Sequence, residues 1–435
     1  MSKKFEHTSP GGIVYNTDKK LGYYLFNNEI YYSKYQVLLA ASKDKTETNL
    51  LNNEKVKWFY NEDVFLNYPW HIEPEESIEK LYCARAQQLR DSYDYIRIEA
   101  SGGSDSTTAI YSFLLNGIHL DEVVFRFPKT GAKDFIENPW DSGADNILSE
   151  YNYAVLPLFN WIKTHHPKTK ITVHDYGETF LKEEKNYNED WIYKTKHYLQ
   201  PSYAFKHDII GVDAHRDIAE KKKKIAVVLG IDKPKICIKD QKFFLYFSDM
   251  FTGQANPDGR YDNVSTEFFF WTPNMPEIVA KQAHMVKNWF SLKENHKFNY
   301  ALYWENQGTE SRTLYENVVK AIIYPNYDLS TFQVKKPSNN INSEMDYWFH
   351  VNFQGTRIYD IWKSSIDRVL ENLDPKYVSK NISNSQINIK EFTSMFYYFG
   401  DNTVPVTGPM VEFLQKAKKD ARKFVHCIRG QLSIY

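Results

Sequence analysis

Apolar and polar positions along the chain change period several times, and each change marks an element. From Pro74 the pattern turns helical: Ile78, Leu81, Tyr82, Arg85 and Leu89 share one face, behind a first turn of proline and acids. Tyr93 to Glu99 has strand character, and Thr108 to Leu115 returns to a helical apolar period that stops at Asn116-Gly117. Asp121 to Pro128 and Ile171 to Tyr176 read as two further strands. Between them Asp145 to Lys163 reads as a helix kinked by Pro157. Asp213 to Leu229 reads as another helix, with Ile218, Ala219, Ile225, Ala226 and Leu229 buried and Lys221 to Lys224 facing solvent. Gly230 then closes it as a C′ glycine.

Flanking segments follow other patterns. Gly22 to Tyr32 reads as a hairpin turning at Asn27-Asn28, followed by a short helix from Ser33 to Ala41. Lys57 to Tyr60 forms an apolar patch in an irregular stretch. Lys235 to Lys239 and Phe243 to Phe247 make a second hairpin around Asp240-Gln241-Lys242. The last third reads as largely helical, beginning with Glu277 to Lys287 after Pro276 and ending in a basic amphipathic tail from Val411.

Strands alternating with helices predict an α/β fold, a Rossmann-like parallel sheet with helices on both faces. The expected organisation is an N-terminal α+β appendage over 1–90, a core over 91–255 and a mainly helical C-terminal region over 256–435. At 435 residues with 42% hydrophobic content, more than one domain or subdomain is expected. Mean hydropathy is negative, no apolar run approaches a membrane span, and Met1 to His7 lacks a signal peptide's apolar segment. A net charge of −1 exerts no general pull on nucleic acid or anionic lipid. Cys83, Cys237 and Cys427 are too scattered for a disulfide scaffold or a zinc knuckle. The expectation is a soluble, cytoplasmic protein.

The candidate chemistry sits between the first core strand and its helix, in Ala100-Ser101-Gly102-Gly103-Ser104-Asp105-Ser106-Thr107-Thr108. Two glycines allow the backbone to approach a phosphate, and the helix N-terminus turns free N–H groups toward it. Serine hydroxyls add donors. Asp105 repels phosphate directly, and so fits best as the holder of a divalent cation that bridges to phosphate oxygens.

The spacing resembles the SGGxDS signature of the PP-loop (N-type) ATP pyrophosphatases, a superfamily that includes asparagine synthetase and 7-cyano-7-deazaguanine synthase. No GK[ST] follows the glycines, so the Walker A pattern does not match. The resemblance implies an ATP-binding core, an AMP-forming ligase activity and ATP with Mg2+ as cofactors. A carbonyl or carboxylate oxygen of a small-molecule or nucleobase acceptor would be adenylated, pyrophosphate would leave, and a nitrogen or sulfur nucleophile would displace AMP. Ser101, Gly102, Gly103, Ser104, Ser106 and Thr107 would cradle the phosphates. Asp105 would hold the metal, while Asp105 and Ser104 act in catalysis. Phe125, Arg126 and Phe127, at the end of the second strand, would border the adenosine. Lys281 is the expected lysine beside the departing pyrophosphate.

Departures from the best-known relatives narrow the reading. Position 2 is serine and Cys83 lies inside a helix, so no Cys–His glutaminase signature is visible, and nitrogen for an amide or amine product must come from free ammonia, an amino substrate or a separate ammonia-donating subunit. The four-cysteine zinc site of the deazaguanine synthases is absent from the sequence. Two alternatives stay open: a sulfonucleotide reductase using Cys427 as nucleophile, and a nucleotide-binding protein without catalysis. Further candidates are Asp249 at a strand end as a second ligand, Glu267 and His284 in the last third, Arg85 and Arg90 as phosphate contacts, the basic loop Lys129 to Lys133, and the aromatic insertion from Glu178 to Phe205.

Overall fold

The computed structural model describes residues 4–8, 14–18, 21–44, 55–127, 151–175, 215–249, 261–304, 318–327, 349–381 and 386–403. Strands β1 (Lys4–Thr8) and β2 (Val14–Asp18) form an antiparallel pair. β3 (Tyr23–Phe26) and β4 (Glu29–Tyr31) follow, joined by the expected turn: Asn27 and Asn28 both have positive φ, the requirement of a two-residue hairpin that matches strand twist. Helix α1 (Lys34–Lys43) starts at the Ser33 cap, whose hydroxyl accepts from the Gln36 N–H. β5 (Lys57–Phe59) corrects the irregular reading of that stretch, because Trp58 is buried against the β3 register. Helix α2 (Glu62–Phe65) and helix α3 (Ile78–Ser92) lead into the core.

The core elements are β6 (Tyr95–Ala100), α4 (Ser104–Leu114), β7 (Glu122–Phe127), α5 (Leu156–His165), β8 (Lys170–Asp175), α6 (Arg216–Ala219) and β9 (Ile225–Leu229). Beyond them lie β10 (Lys235–Lys239), β11 (Lys242–Tyr246), β12 (Val264–Phe268) and α7 (Glu277–Ser291). α8 (Arg357–Asn372), β13 (Val378–Asn381), β14 (Gln386–Ile389) and β15 (Tyr397–Asp401) complete the described chain.

Five strands form one parallel sheet in the order β12-β9-β6-β7-β8. The chain starts in the middle, runs outward through β7 and β8, then crosses to β9 and β12. That is the doubly wound order of a Rossmann-like α/β core, with its switch point between β6 and β9. Register places Ile96, Ile98, Ala226, Val228, Val123 and Phe125 on one face. There α3 and α4 pack on the sheet, α7 packs on α3, and Phe159 of α5 meets Phe125 edge-on.

The opposite face is only partly apolar. Tyr95, Ile225, Val227 and Ile218 of α6 form a small cluster. Beside it Arg97 binds Glu122 at 2.8 Å and Asp217 at 2.6 Å, and Arg126 grips both oxygens of Glu99 at 3.0 Å. Burial pushes the Glu99 and Glu122 carboxyls up, but Arg126 and Arg97 respectively outweigh it and hold each down to about 2. On this face the four-residue α6 is the helix that the described residues show.

Three expectations change here. Asp213 to Leu229 is not one helix. Its second half, Ile225-Ala226-Val227-Val228-Leu229, is β9, a continuous apolar run that is covered on both faces, as a central parallel strand requires. Gly230 therefore follows a strand rather than capping a helix. Pro157 sits in the first turn of α5, where its missing N–H costs nothing, and an irregular helical turn, Tyr151–Val155, precedes it. The last third contains strands as well as helices, and β15 pairs with β11 beside β10. One apolar cluster runs through all three expected regions, joining Tyr24, Trp58 and Phe65 to Phe113, Phe247, Trp271 and Tyr397.

Candidate functional site

The site lies at the carboxyl ends of β6 and β9, where an open α/β sheet leaves a crevice. β6 ends at Ala100 and the chain turns through Ser101-Gly102-Gly103. Gly102 has φ +69°, which a side chain would strain. Gly103 caps α4 in an extended conformation without a side-chain hydrogen bond. The first helical bond runs from Thr107 N–H to Gly103 C=O at 3.1 Å. The amides of Ser104, Asp105 and Ser106 therefore precede it, at the positive end of the helix.

Two serines build the loop rather than the pocket. Ser106 Oγ accepts from Ser101 N–H at 3.1 Å and donates to Gly103 C=O at 3.2 Å, while Ser101 Oγ accepts from Gly103 N–H at 3.3 Å. Ser104 Oγ and Thr107 Oγ1 differ: both are buried and neither has a hydrogen-bond partner among the described residues. Buried hydroxyls left this way normally cost about 1–3 kcal/mol.

The end of β9 forms the second wall. Gly230 packs so closely on α4 that a Cβ there would lie 2.8 Å from Ser106 N and 2.9 Å from Asp105 C. Asp232 and Lys233 follow. Lys233 Nζ lies 3.3 Å from Asp105 Oδ1 and 3.0 Å from Asp232 Oδ1, and Lys235 Nζ lies 3.4 Å from Asp232 Oδ2. Burial pushes the Asp232 carboxyl up, yet Lys233 and Lys235 prevail and hold it at about 2. Among the described residues Asp232 Oδ2 is buried and takes no hydrogen bond, and it meets Lys235 Nζ in that longer ion pair.

A third wall comes from far along the chain. Tyr324, after the helical segment 318–323, donates a hydrogen bond to Asp105 Oδ1. Burial first, then the Asp105 charge, raises this phenol well above its ordinary range and keeps it a donor. Tyr327 is raised to about 12 by burial and by Asp105, and its hydroxyl is buried without a hydrogen-bond partner among the described residues. Tyr82 anchors this segment by donating to Ile323 C=O at 2.9 Å, and in turn accepts from Gln282 at 2.8 Å.

The other expected residues lie in different settings. Phe125 is buried and stacks on Tyr151, which makes it sheet core. Arg126 commits its guanidinium to Glu99, and Phe127 ends β7. Lys281 binds Glu73 at 2.8 Å and the Pro74 carbonyl at 3.0 Å, tying α7 to the segment before α3. Arg85 pairs with Glu267, Arg90 with Asp121, and His284 with the Trp70 carbonyl. Asp249 is fully buried between Lys34 at 2.8 Å and Tyr24 at 2.7 Å. Cys237 is buried in β10. Cys427, the loop 129–133 and the insertion 178–205 lie outside the described residues.

Asp232, Lys233, Tyr324 and Tyr327 escaped the sequence reading. The first two carry a local signal, an acid and a lysine just after a five-residue, β-branched apolar run, once that run is read as a strand. The tyrosines carry none, because Tyr324 meets Asp105 across 219 positions. The chain matches no known family model and no curated protein.

Proposed function

We propose that the chain is an AMP-forming ATP pyrophosphatase of the PP-loop type, which adenylates an oxygen of a small-molecule or nucleobase acceptor. The carrying observation is that Lys233, at the end of β9, meets Asp105 in the first turn of α4, a turn that also holds the Ser104 and Thr107 hydroxyls, both buried and without a hydrogen-bond partner among the described residues. A polyphosphate docked on that turn would offer acceptor oxygens to them. The Ser104, Asp105 and Ser106 amides add donors, and the loop's own serine bonds hold these groups in place before the ligand arrives, so little reorganisation accompanies reaction.

The lysine role beside pyrophosphate suits Lys233, whose ammonium is already next to the loop, better than Lys281 with its Glu73 partner. The donor set also fits magnesium, because Asp105 and Asp232 offer carboxylate oxygens, one of them buried without a hydrogen bond. When bound there, the metal would offset charge on the phosphate oxygens. In the chain's own chemistry, Tyr324 orients Asp105 by its hydrogen bond, the loop amides and hydroxyls take up charge as pyrophosphate separates, and Lys233 faces the leaving group. Acceptor recognition falls to groups around the strand ends.

The test is incubation of the protein with ATP, Mg2+ and fractionated metabolite extract, with AMP and pyrophosphate quantified. An extract-dependent, equimolar release of both products supports the reading. Release of ADP and phosphate, or no turnover with any fraction, would count against it.

A further inference from the structure

The turn after the helical segment 318–323 brings two tyrosines near one carboxylate. Tyr324 N–H bonds the Lys320 carbonyl at 3.1 Å and Tyr327 N–H bonds the Tyr324 carbonyl at 3.0 Å, so the chain reverses tightly, with Pro325 and Asn326 exposed at its tip. The Tyr324 hydroxyl donates to Asp105 Oδ1, which fastens this turn to the first turn of α4. Tyr82 fastens it again through the Ile323 carbonyl at 2.9 Å. We propose that Tyr327 is a ligand-binding residue, whose hydroxyl donates to a phosphate oxygen of the nucleotide held at the N-terminus of α4. The inference rests on the ATP reading above and adds a phosphate contact from the last third of the chain.

The two phenols differ in what they lack. Asp105 Oδ1 already accepts from Tyr324, and Lys233 Nζ lies 3.3 Å from the same oxygen. Tyr327 OH, by contrast, is buried and has no hydrogen-bond partner among the described residues. After burial, the charges that act on it are those of Asp105 and Lys233, so the hydroxyl lies within their electrostatic reach, and it stays protonated at neutral pH. Tyr35 of α1 supplies the contrast. Its hydroxyl is likewise buried without a hydrogen-bond partner among the described residues, but burial is what raises that phenol, and it acts on Tyr24 rather than on the loop. A buried hydroxyl without an acceptor is a cost to the fold. One that lies within reach of an ammonium, beside a helix N-terminus, is placed to meet an anion, and phosphate oxygens are strong acceptors.

Titration calorimetry on the full-length wild type, Tyr327→Phe and Tyr35→Phe tests this without turnover. The probes are the non-hydrolysable analogue α,β-methylene-ATP and, separately, inorganic pyrophosphate, each with Mg2+. Tyr327→Phe should bind both about tenfold or more weakly than the wild type, the loss expected when one hydrogen bond to a charged group is removed. Tyr35→Phe should bind them as the wild type does. Scanning calorimetry of the ligand-free proteins adds a second readout: Tyr327→Phe should melt no lower than the wild type, because the hydroxyl it loses holds nothing in the fold. Equal binding by Tyr327→Phe and wild type overturns the proposal and leaves the ATP reading standing. An equal loss in Tyr35→Phe overturns it as well, and so does a lower midpoint or failure to fold in Tyr327→Phe, since the hydroxyl would then serve the structure. A wild type that takes pyrophosphate but not the analogue, with an affinity that falls in Tyr327→Phe, sinks the ATP reading and keeps the phosphate contact. A wild type that takes neither probe overturns both.

Discussion

Replacing Gly230 by alanine tests the contact between the two loops more selectively than removing any charged group. The residue's φ lies outside the left-handed region, so alanine meets no backbone strain, and the whole effect comes from one methyl group. That methyl would sit 2.8 Å from Ser106 N, 2.9 Å from Asp105 C and 2.9 Å from Ser106 Cα, all backbone atoms that no rotamer can move aside. Ordinary contact begins at 3.4 Å, so α4 and the β9 end must separate by about 0.6 Å, an overpacking strain of about 1–3 kcal/mol. The glycine's greater unfolded-state freedom offsets roughly 0.4–1 kcal/mol of this, which leaves a net loss near 1–2 kcal/mol. Differential scanning calorimetry should show a midpoint lower by a few degrees. Function should suffer more than stability, because displacements approaching 1 Å at a positioned site cost up to about 10²-fold in rate. Gly117→Ala provides the control: it is strained by its φ of +70° but has nothing within 4 Å of the added methyl. It should lose a similar amount of stability and keep nucleotide binding. If Gly230→Ala binds α,β-methylene-ATP as the wild type does in titration calorimetry, the close approach of the loops does not shape the site.

Other outcomes follow from the same structure. Asp105→Ala should abolish conversion of ATP to AMP while circular dichroism stays native, since Lys233 keeps Asp232 as partner; unchanged AMP release would refute its role. Arg85→Met removes the guanidinium paired with the buried Glu267 carboxylate, and urea unfolding should register about 3–5 kcal/mol of lost stability. Glu99, Glu122 and Asp232 are held down to about 2, below their unfolded values near 4, so their contribution is present at neutral pH and is lost as pH falls through that interval. The carboxylate part of stability should fall steeply from about pH 4.5 to 2, and Glu122→Gln should flatten that slope.

What the sequence disclosed was local in origin. The strand, glycine turn and helix of residues 95–114 lie within one contiguous segment, and their signals do not depend on distant partners. The two hairpins were equally plain, since Asn27-Asn28 and Asp240-Gln241 tolerate the positive φ values that their turns adopt. β9 was misread because five apolar residues in a row carry no period of two, and the flanking Lys221 to Lys224 lent a helical look. In the fold those lysines are exposed, and Lys221 and Lys224 lie over the rings of Tyr95 and Tyr93. Lys281 was expected from the resemblance alone, but its amine satisfies Glu73 across 208 positions, a pairing that no local pattern announces.

The strand order has a further consequence, for the time at which the pocket comes into being. β6 and the loop after it are translated early, but their wall on one side is β9, about 130 residues later, and their tyrosine cover arrives later still. Contacts this remote close only after the intervening chain has been confined, and they slow folding. A nascent chain ending before residue 233 carries the whole glycine-serine signature without the lysine beside it. A nucleotide bound there, as proposed, would therefore reward the chain only after the sheet has been wound in both directions.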